Sequence, residues 1–210
     1  LRNAMRGIDY VFHTAAIKGV TACEYDVTEA LLTNCMGTLN VLQSAMEKSA
    51  RRVMVISSDK AASPLNAYGA TKKMAEHLTV SYNAYSGGSG TRFSACRYGN
   101  VVGSQGSVIP LFLHQKESGT LTITDPHMTR FWITINEAVE FVLNCMQNMV
   151  GGEIFVPHLP SAKVTDIATA IAPDAKQKMV GIRPGEKMHE VMIVPEEMHR
   201  TRDFGWAYKI

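Results

Sequence analysis

The chain has 210 residues, of which 46% are hydrophobic and 19% charged, and its formal net charge is +2. This composition indicates a globular chain with a substantial core and gives no electrostatic argument for binding nucleic acid or a membrane surface. No apolar stretch approaches the ~20 residues of a membrane helix. The four cysteines are too far apart for a metal motif, so we expect no metal and reduced thiols in a cytoplasmic protein.

The first part of the chain alternates between predicted strands and helices. Short apolar runs predict three strands, at residues 8–13, 53–57 and 93–97. Helical spacing of apolar residues and a glycine-rich stop predict two helices, at residues 24–48 and 66–85. This order predicts an α/β fold with a doubly wound, Rossmann-like parallel sheet. Ligands of such sheets bind beyond the carboxyl ends of the strands, where Ala15, Ser58 and Asn100 lie.

After about residue 104 the alternation is less regular. We predict helices at residues 136–147 and 164–171 and a strand at residues 153–156. Two polar clusters, at residues 128–132 and 183–187, lie between these elements. We therefore predict that this half forms a smaller lobe that is partly interwoven with the sheet domain.

The most informative segment is residues 57–72, which follows the second predicted strand. Tyr68 and Lys72 are four residues apart, so on a helix they share one face with roughly 5–6 Å between their Cβ atoms. Because a neighbouring ammonium favours the phenolate, we expect Lys72 to lower the pKa of Tyr68. Such a tyrosine can take a proton from an alcohol while hydride leaves the same carbon. The dyad alone is weak evidence, and the alternative is a solvated helix face with one aromatic residue.

The adjacent Asp59-Lys60 pair suggests a second acid–base step. Exposed Asp and Lys are both ionised at neutral pH and cannot serve as acid and base, whereas a poorly hydrated site favours the neutral pair. The two groups would then titrate as a coupled unit. The alternative is a loop ion pair without a catalytic part, and the pair by itself leaves both interpretations open.

Blocks of sequence along nearly the whole chain are similar to one known family. They occupy residues 15–18, 33–34, 58–62, 66–72, 97–104, 124–125, 128–134, 152–157 and 181–187. The chain resembles the extended short-chain dehydrogenase/reductases, and among them the inverting UDP-N-acetylglucosamine 4,6-dehydratases of pseudaminic acid synthesis and flagellin glycosylation. Larger membrane-anchored dehydratases are also similar but usually have Met at the position of Tyr68.

The chain departs from this family at its start. It begins roughly where the family's fourth strand would, without the glycine-rich loop that holds the pyrophosphate and the strand that selects NAD or NADP. We therefore expect residues 1–104 to be the remainder of a dinucleotide-binding domain with the catalytic dyad, and residues 105–210 mainly a substrate-binding lobe. Ser58 stands where relatives often have Thr, and Gly19 follows Lys18 where many have His.

The resemblance implies a three-step dehydration of UDP-N-acetylglucosamine with NADP as cofactor, NAD not being excluded. Tyr68 would remove the C4 hydroxyl proton as hydride passes to NADP⁺, Ser58 would bind that hydroxyl, and Lys72 would hold the nicotinamide ribose. Lys60 would then take the C5 proton, and Asp59 would protonate the departing C6 hydroxyl. Hydride return to C6 and proton return to the opposite face of C5 would give a UDP-4-keto-6-deoxy-L-hexosamine.

The resemblance also implies binding residues and partners. The implied cofactor-binding residues are Thr14, Ala15, Ala16, Lys18, Ile56, Ser57, Tyr68, Lys72, Val101, Val102, Gly103, Ser104 and Gln105. The implied substrate-binding residues are Lys18, Asn100, Val108, Thr124, Arg130, Arg183 and Glu186. Arg suits a diphosphate because its planar fork binds oxygens bidentately, and the alternative for these residues is ordinary turns and surface charges. A UDP-sugar is the implied partner, and we expect a homo-oligomer.

Two other functions stay open. A nucleotide-sugar 4-epimerase or reductase needs Ser58, Tyr68 and Lys72 but no acid–base pair beside the serine, so Asp59-Lys60 argues against it. A non-catalytic nucleotide-binding relative would tolerate loss of Tyr68 or Lys72, and both are present. Asn34, a poor helix former in a predicted helix, could bridge the catalytic lysine through water or bond to a neighbouring strand.

Overall fold

A six-stranded sheet forms the centre of the computed structural model, which describes residues 1–210. The strands of the molecule are β1 (Tyr10–His13), β2 (Arg52–Ser58), β3 (Arg92–Tyr98), β4 (Asn100–Val101), β5 (Thr120–Ile123), β6 (Thr129–Ile133), β7 (Ile154–Pro157), β8 (Ser161–Lys163), β9 (Lys176–Met179), β10 (Arg202–Asp203) and β11 (Ala207–Lys209). The central sheet has the order β1-β2-β3-β7-β11-β10. Its first four strands are parallel, and β11 and β10 complete it in antiparallel pairing. This architecture confirms the predicted α/β fold with a doubly wound parallel sheet.

Helices cover both faces of the sheet. They are α1 (Val20–Tyr25), α2 (Val27–Ala30), α3 (Gly37–Glu47), α4 (Ala67–Tyr85), α5 (Val108–Gln115), α6 (Ile135–Asn148), α7 (Val164–Ile171) and α8 (Pro195–Met198). Val53 and Val55 of β2 belong to one core with residues of α3 and α4. Met54, between them, packs on the opposite face with residues of α6. Residues 53–56 of β2 are all apolar because helices cover this part of the strand on both sides. None of the helices combines the length and apolar character that crossing a lipid bilayer requires.

The helix predicted for residues 24–48 is broken once, and residues 27–47 are helical. Asp26 interrupts it with a non-helical backbone (φ −132°, ψ 76°), and its side chain accepts a hydrogen bond of 2.9 Å from the backbone of Glu29. A π-helical turn at Leu31–Met36 joins α2 to α3. Within that turn the buried Asn34 side chain bonds both backbone groups of Ile17 and the hydroxyl of Thr71. Asn34 therefore fastens the loop after β1 to α4, which is close to the second of the two roles expected for it.

The second half of the chain contributes to two regions. A small core of Phe112, Leu121, Ile123, Val164 and Ala168 holds α5, β5 and α7 together. The two small sheets nearby, β4-β6-β8 and β5-β9, were not predicted from the sequence. Strands β7, β10 and β11 lie in the central sheet although they follow residue 104 in the chain. The boundary at residue 104 stays a prediction.

Candidate active site

Helix α4 carries Tyr68 and Lys72, and its first turn is fixed on two sides. The Asn66 side chain caps the helix by accepting from the backbone of Gly69 at 2.8 Å, and it donates to the carbonyl of Gly185 at 2.7 Å. A Cβ at Gly69 would lie only 2.5 Å from the carbonyl oxygen of Lys60. Glycine is therefore required for α4 to pack against the turn of residues 59–61, which brings Tyr68 close to Asp59 and Lys60.

Two cavities meet beside this turn. The first cavity, of about 450 Å³, lies beyond the carboxyl ends of β1, β2 and β3. The second cavity, of about 410 Å³, lies between the loop after β1, the start of α5 and the segment of residues 183–190. Both cavities are lined by Gly19, Lys60, Asn100, Gly106 and Ser107. A ligand reaching from one cavity into the other would therefore pass Lys60.

Most residues expected to contact the cofactor surround the first cavity. Those that line it are Thr14, Ala16, Lys18, Ile56, Ser57, Tyr68, Lys72, Val101, Ser104 and Gln105. Ala15, Val102 and Gly103 do not line it, and all three are exposed. In the extended segment after β1 the side chains alternate, so Thr14 and Ala16 face the cavity and Ala15 does not. Val102 and Gly103 form the outer side of a turn closed by a 3.2 Å hydrogen bond from Ser104 to Val101.

The residues expected to contact the substrate gather around the second cavity, with one exception. Asn100, Val108, Thr124, Arg130, Arg183 and Glu186 line it. Lys18 lines only the first cavity, because its ammonium donates to the backbone carbonyl of Gln105 at 2.9 Å. The Arg130 guanidinium is oriented by two hydrogen bonds from its Nη1, to the carbonyls of Thr129 at 2.7 Å and Met188 at 3.2 Å. Its remaining donors are available to an anion.

The environment of Tyr68 differs from the sequence-based expectation. Burial raises the pKa of the Tyr68 phenol above its ordinary value, and a hydrogen bond with Ser58 only partly opposes this effect. The carboxylate of Asp59 raises the pKa further. The prediction that Lys72 lowers this pKa is therefore wrong for this geometry. Lys72 instead directs its ammonium to the carbonyl of Ile56. The burial of the Tyr68 phenol therefore has a larger effect on its pKa than the charge of Lys72.

Lys72 is itself perturbed. Burial lowers the pKa of Lys72 to about 8, although the carboxylate of Glu76, one turn further along α4, acts in the opposite direction. An amine with this pKa changes charge near physiological pH, which makes it a candidate for function as well as structure.

Ser58, Asp59 and Lys60 form a compact set of polar groups at the end of β2. Oδ1 of Asp59 accepts from the Ser58 hydroxyl at 2.8 Å and from the Lys60 ammonium at 3.0 Å. Asp59 is fully buried, and its Oδ2 has no hydrogen-bond partner. Lys60 reaches both cavities, whereas Asp59 lines neither. An acid–base role for Asp59 therefore requires its proton to reach a ligand through Lys60 or Ser58, or a small rotation of its side chain.

Sequence reasoning missed several polar residues of the cavities. Ser107 lines both, and its buried hydroxyl has no hydrogen-bond partner. The only sequence signal for Ser107 is its place next to Val108 in a Gly/Ser-rich turn. Glu190 lines the second cavity, 3.5 Å from Lys60, and has no signal at all because it lies in a loop without a motif.

His13, at the end of β1, gives a prediction for stability against acid. It is buried, its Nε2 lies 3.0 Å from the Thr38 hydroxyl, and burial together with the charge of Lys72 lowers the pKa of His13 to about 4. The unfolded chain, with a His pKa of about 6.5, binds this proton more readily, so the free energy of unfolding falls as the pH drops from about 6.5 to about 4. We expect His13→Gln to flatten this fall in urea denaturation across that range. The exposed His114→Gln is the control, and an unchanged slope in His13→Gln would contradict the prediction.

Comparison with known proteins identifies the family. A family model described as polysaccharide biosynthesis protein matches residues 1–210. The UDP-N-acetylglucosamine 4,6-dehydratase (inverting) of Campylobacter jejuni subsp. jejuni serotype O:23/36 is 47% identical, and the alignment covers 99% of this chain and 63% of that protein. The UDP-glucose 4-epimerase of Rickettsia bellii is 41% identical over 99% of this chain and 62% of that protein. The chain thus spans less than two thirds of the length of these curated relatives.

Solved structures agree with this assignment. The X-ray structure of Pen from Bacillus thuringiensis has a TM-score of 0.95 and 40% identity, covering 100% of this chain and 67% of that one. DesIV, a dTDP-glucose 4,6-dehydratase from Streptomyces venezuelae solved with NAD and TYD bound, has a TM-score of 0.82. At 20% identity, over 94% of this chain and 68% of that one, DesIV supports the fold alone. The chain belongs to the polysaccharide biosynthesis protein family of extended short-chain dehydrogenase/reductases, as its sequence blocks predicted.

Proposed function

We propose that the full-length protein catalyses the NADP-dependent dehydration of UDP-N-acetylglucosamine at C4 and C6 with inversion at C5. The observation that carries this proposal is the junction of the two cavities, where Lys60 lies 3.0 Å from Asp59 and next to Ser58 and Tyr68. An acid–base pair beside an oxidation dyad is what a dehydration following an oxidation requires. The 47% identity to an enzyme with this name supports the same reaction.

The residues of the first cavity fit a nicotinamide cofactor. Small residues allow close approach of a ribose and ring, and the unpartnered Asn100 Oδ1 and Ser107 Oγ are buried atoms that a polar ligand can satisfy. Tyr68 and Lys72 would hold the nicotinamide ribose, with backbone groups near Ala16, Ser57 and Ser104 around it. Bound NADP⁺ would accept hydride from C4 and return it to C6, so no external reductant is consumed. The choice of NADP over NAD is part of the proposal.

The second cavity suits a UDP-sugar. Arg130 and Arg183 supply cations for a diphosphate, and Glu186 supplies an acceptor for ribose hydroxyls. The Glu186 carboxylate also accepts from the backbone of Arg183 at 3.4 Å, which closes the turn that presents both residues. The sugar ring would then lie at the junction beside Lys60 and Asn100.

Protons would move between four side chains in this arrangement. Tyr68 would take the C4 hydroxyl proton, and Ser58 would orient that hydroxyl. The resulting C4 ketone acidifies C5, where Lys60 would remove the proton. Asp59, whose buried Oδ2 has no partner, would carry the proton given to the departing C6 hydroxyl. Return of a proton to the opposite face of C5 gives the inverted sugar.

A 4-epimerase is the second candidate, favoured by the 41% identity to a protein named UDP-glucose 4-epimerase. The product of the full-length protein separates the two functions. With UDP-N-acetylglucosamine in deuterated water, a dehydratase gives a 4-keto-6-deoxy product that contains one solvent deuterium at C5. An epimerase gives only the C4 epimer without deuterium at C5. Mass spectrometry and NMR of the product would decide, and formation of the C4 epimer alone would reject the proposed dehydration.

Substitutions at the acid–base pair test whether Lys60 is the base and Asp59 the acid. We expect Lys60→Ala to oxidise C4 and accumulate reduced nicotinamide, visible by its absorbance, without C5 exchange. Asp59→Asn should still permit C5 exchange but slow the loss of water, because only the leaving group then lacks its acid. C5 exchange at the wild-type rate in Lys60→Ala would place the base elsewhere.

The proposal extends to the setting of the enzyme. All four cysteines are buried and unpaired, which supports a reducing compartment such as the cytoplasm. We also propose a homo-oligomer, and light scattering of the full-length protein would measure its mass.

A further inference from the structure

Glu190 is a buried carboxylate in the wall of the second cavity. It is 8% exposed and lies in the loop between β9 and α8. Its Oε1 is 3.5 Å from the ammonium of Lys60, and its Oε2 is 3.2 Å from the ammonium of Lys187. A buried carboxylate between two lysines is costly to form unless the charges compensate one another, so these contacts need an explanation.

The contacts of Glu190 extend the Asp59–Lys60 pair into a row of alternating charges. Asp59 lies 3.0 Å from Lys60 on one side, Glu190 lies on the other, and Lys187 follows Glu190. Of these four residues only Lys60 lines both cavities. The row therefore presents one amine, held between two carboxylates, at the junction of the cavities.

We propose that Glu190 is a positioning residue that orients Lys60 and stabilises the ammonium formed when Lys60 removes the C5 proton. The inference rests on the proposed dehydration. In that step the C5–H bond breaks, an N–H bond forms on Lys60, and the electron pair of the C–H bond passes into the enolate of the C4 ketone. Positive charge grows on Lys60 during the step, and a fixed anion 3.5 Å away favours the transition state over the neutral amine.

Glu190 and Asp59 differ in their ionic partners. The Lys187 ammonium is buried, and the Glu190 carboxylate, 3.2 Å away, is its only ionic partner. Asp59 has only Lys60 as a cationic partner, and neither its Oδ2 nor the Oε2 of Glu190 has a hydrogen-bond partner. Glu190 therefore contacts two ammonium groups, whereas Asp59 contacts only that of Lys60 and also accepts from the Ser58 hydroxyl. A base oriented by a third group is the general logic of catalytic triads.

The test measures two steps of the reaction separately. In the full-length protein with UDP-N-acetylglucosamine in deuterated water, C4 oxidation is followed by the absorbance of reduced nicotinamide and C5 exchange by mass spectrometry. We expect Glu190→Gln to slow C5 exchange by roughly 10²-fold while C4 oxidation stays within about threefold of wild type. Glu190→Asp, which keeps the charge, should recover part of the exchange rate. Glu196→Gln, an exposed carboxylate on α8, is the matched control and should change neither step.

Three other outcomes of this experiment would overturn the inference. If both steps fall in parallel in Glu190→Gln, the residue only holds the loop in place. If neither step changes, the anion has no part in the reaction. A wild-type protein that forms no 4-keto product and exchanges no C5 hydrogen would instead remove the proposed dehydration, and the role of Glu190 with it.

Discussion

Replacing Tyr68 with Phe in the full-length protein is expected to lower kcat roughly 10²–10⁴-fold while leaving KM nearly unchanged. The variant keeps the aromatic ring that packs at the start of α4 and loses only the hydroxyl. That hydroxyl takes part in a proton transfer, so it lowers the free energy of the transition state and contributes little to substrate binding. Burial raises the pKa of the Tyr68 phenol in the free protein.

Steady-state kinetics with UDP-N-acetylglucosamine would measure this effect. Tyr85→Phe is the matched control, because Tyr85 lies on the same helix with its side chain 70% exposed and far less enclosed. We expect Tyr85→Phe to match wild type. A Tyr68→Phe protein within a few-fold of wild-type kcat would remove Tyr68 from the mechanism, and equal losses in the two variants would point to a general effect on α4.

The sequence predicted the parts of the fold that rest on local patterns. The β2 run is apolar at consecutive positions, and α4 has a capping Asn and a glycine-rich stop, so both were found within a residue or two. The helix at residues 24–48 was overestimated because periodicity does not reveal that Asp26 caps a new helix or that a π-helical turn buries Asn34. Strand β6 was taken for a polar cluster because its partners are distant in the chain.

The candidate site, too, could be predicted from the sequence only in part. Tyr68, Lys72, Asp59 and Lys60 could be found because they lie within one segment. The pKa shift of Tyr68 could not be predicted, because it depends on burial, which the spacing of residues in the sequence does not show. Glu190 reaches the site from about 130 residues away in the chain, so only tertiary structure brings it to Lys60. Arg97 shows the same limit, since the sequence places it in a strand but cannot supply its partners.

Arg97 is the centre of a buried ionic cluster that joins the C-terminal segment to α4. Its guanidinium makes two hydrogen bonds to Glu76 of α4, two to Glu197 of α8, and one to the carbonyl of Met192, each 2.7–2.9 Å long. All five of its N–H donors are therefore used. Burial alone would raise the pKa of Glu197, but hydrogen bonds from Arg97 and Lys73 lower it to about 2. The cluster is satisfied only while Arg97 is present.

We expect Arg97→Met to reduce the free energy of unfolding by about 3–5 kcal/mol, because it leaves two buried carboxylates with Lys73 as their only cation, 2.8 Å from Glu197 and 3.9 Å from Glu76. Urea denaturation at neutral pH would measure the loss. Arg92→Met, on the same strand but exposed, should cost less than about 0.5 kcal/mol. Adding Glu76→Gln and Glu197→Gln to Arg97→Met should recover part of the loss, since two buried negative charges that share a single cation are then removed. A loss below about 1 kcal/mol in Arg97→Met would mean that water reaches the two carboxylates, and that the cluster does not fasten the segment carrying Glu190 to the helix carrying Tyr68.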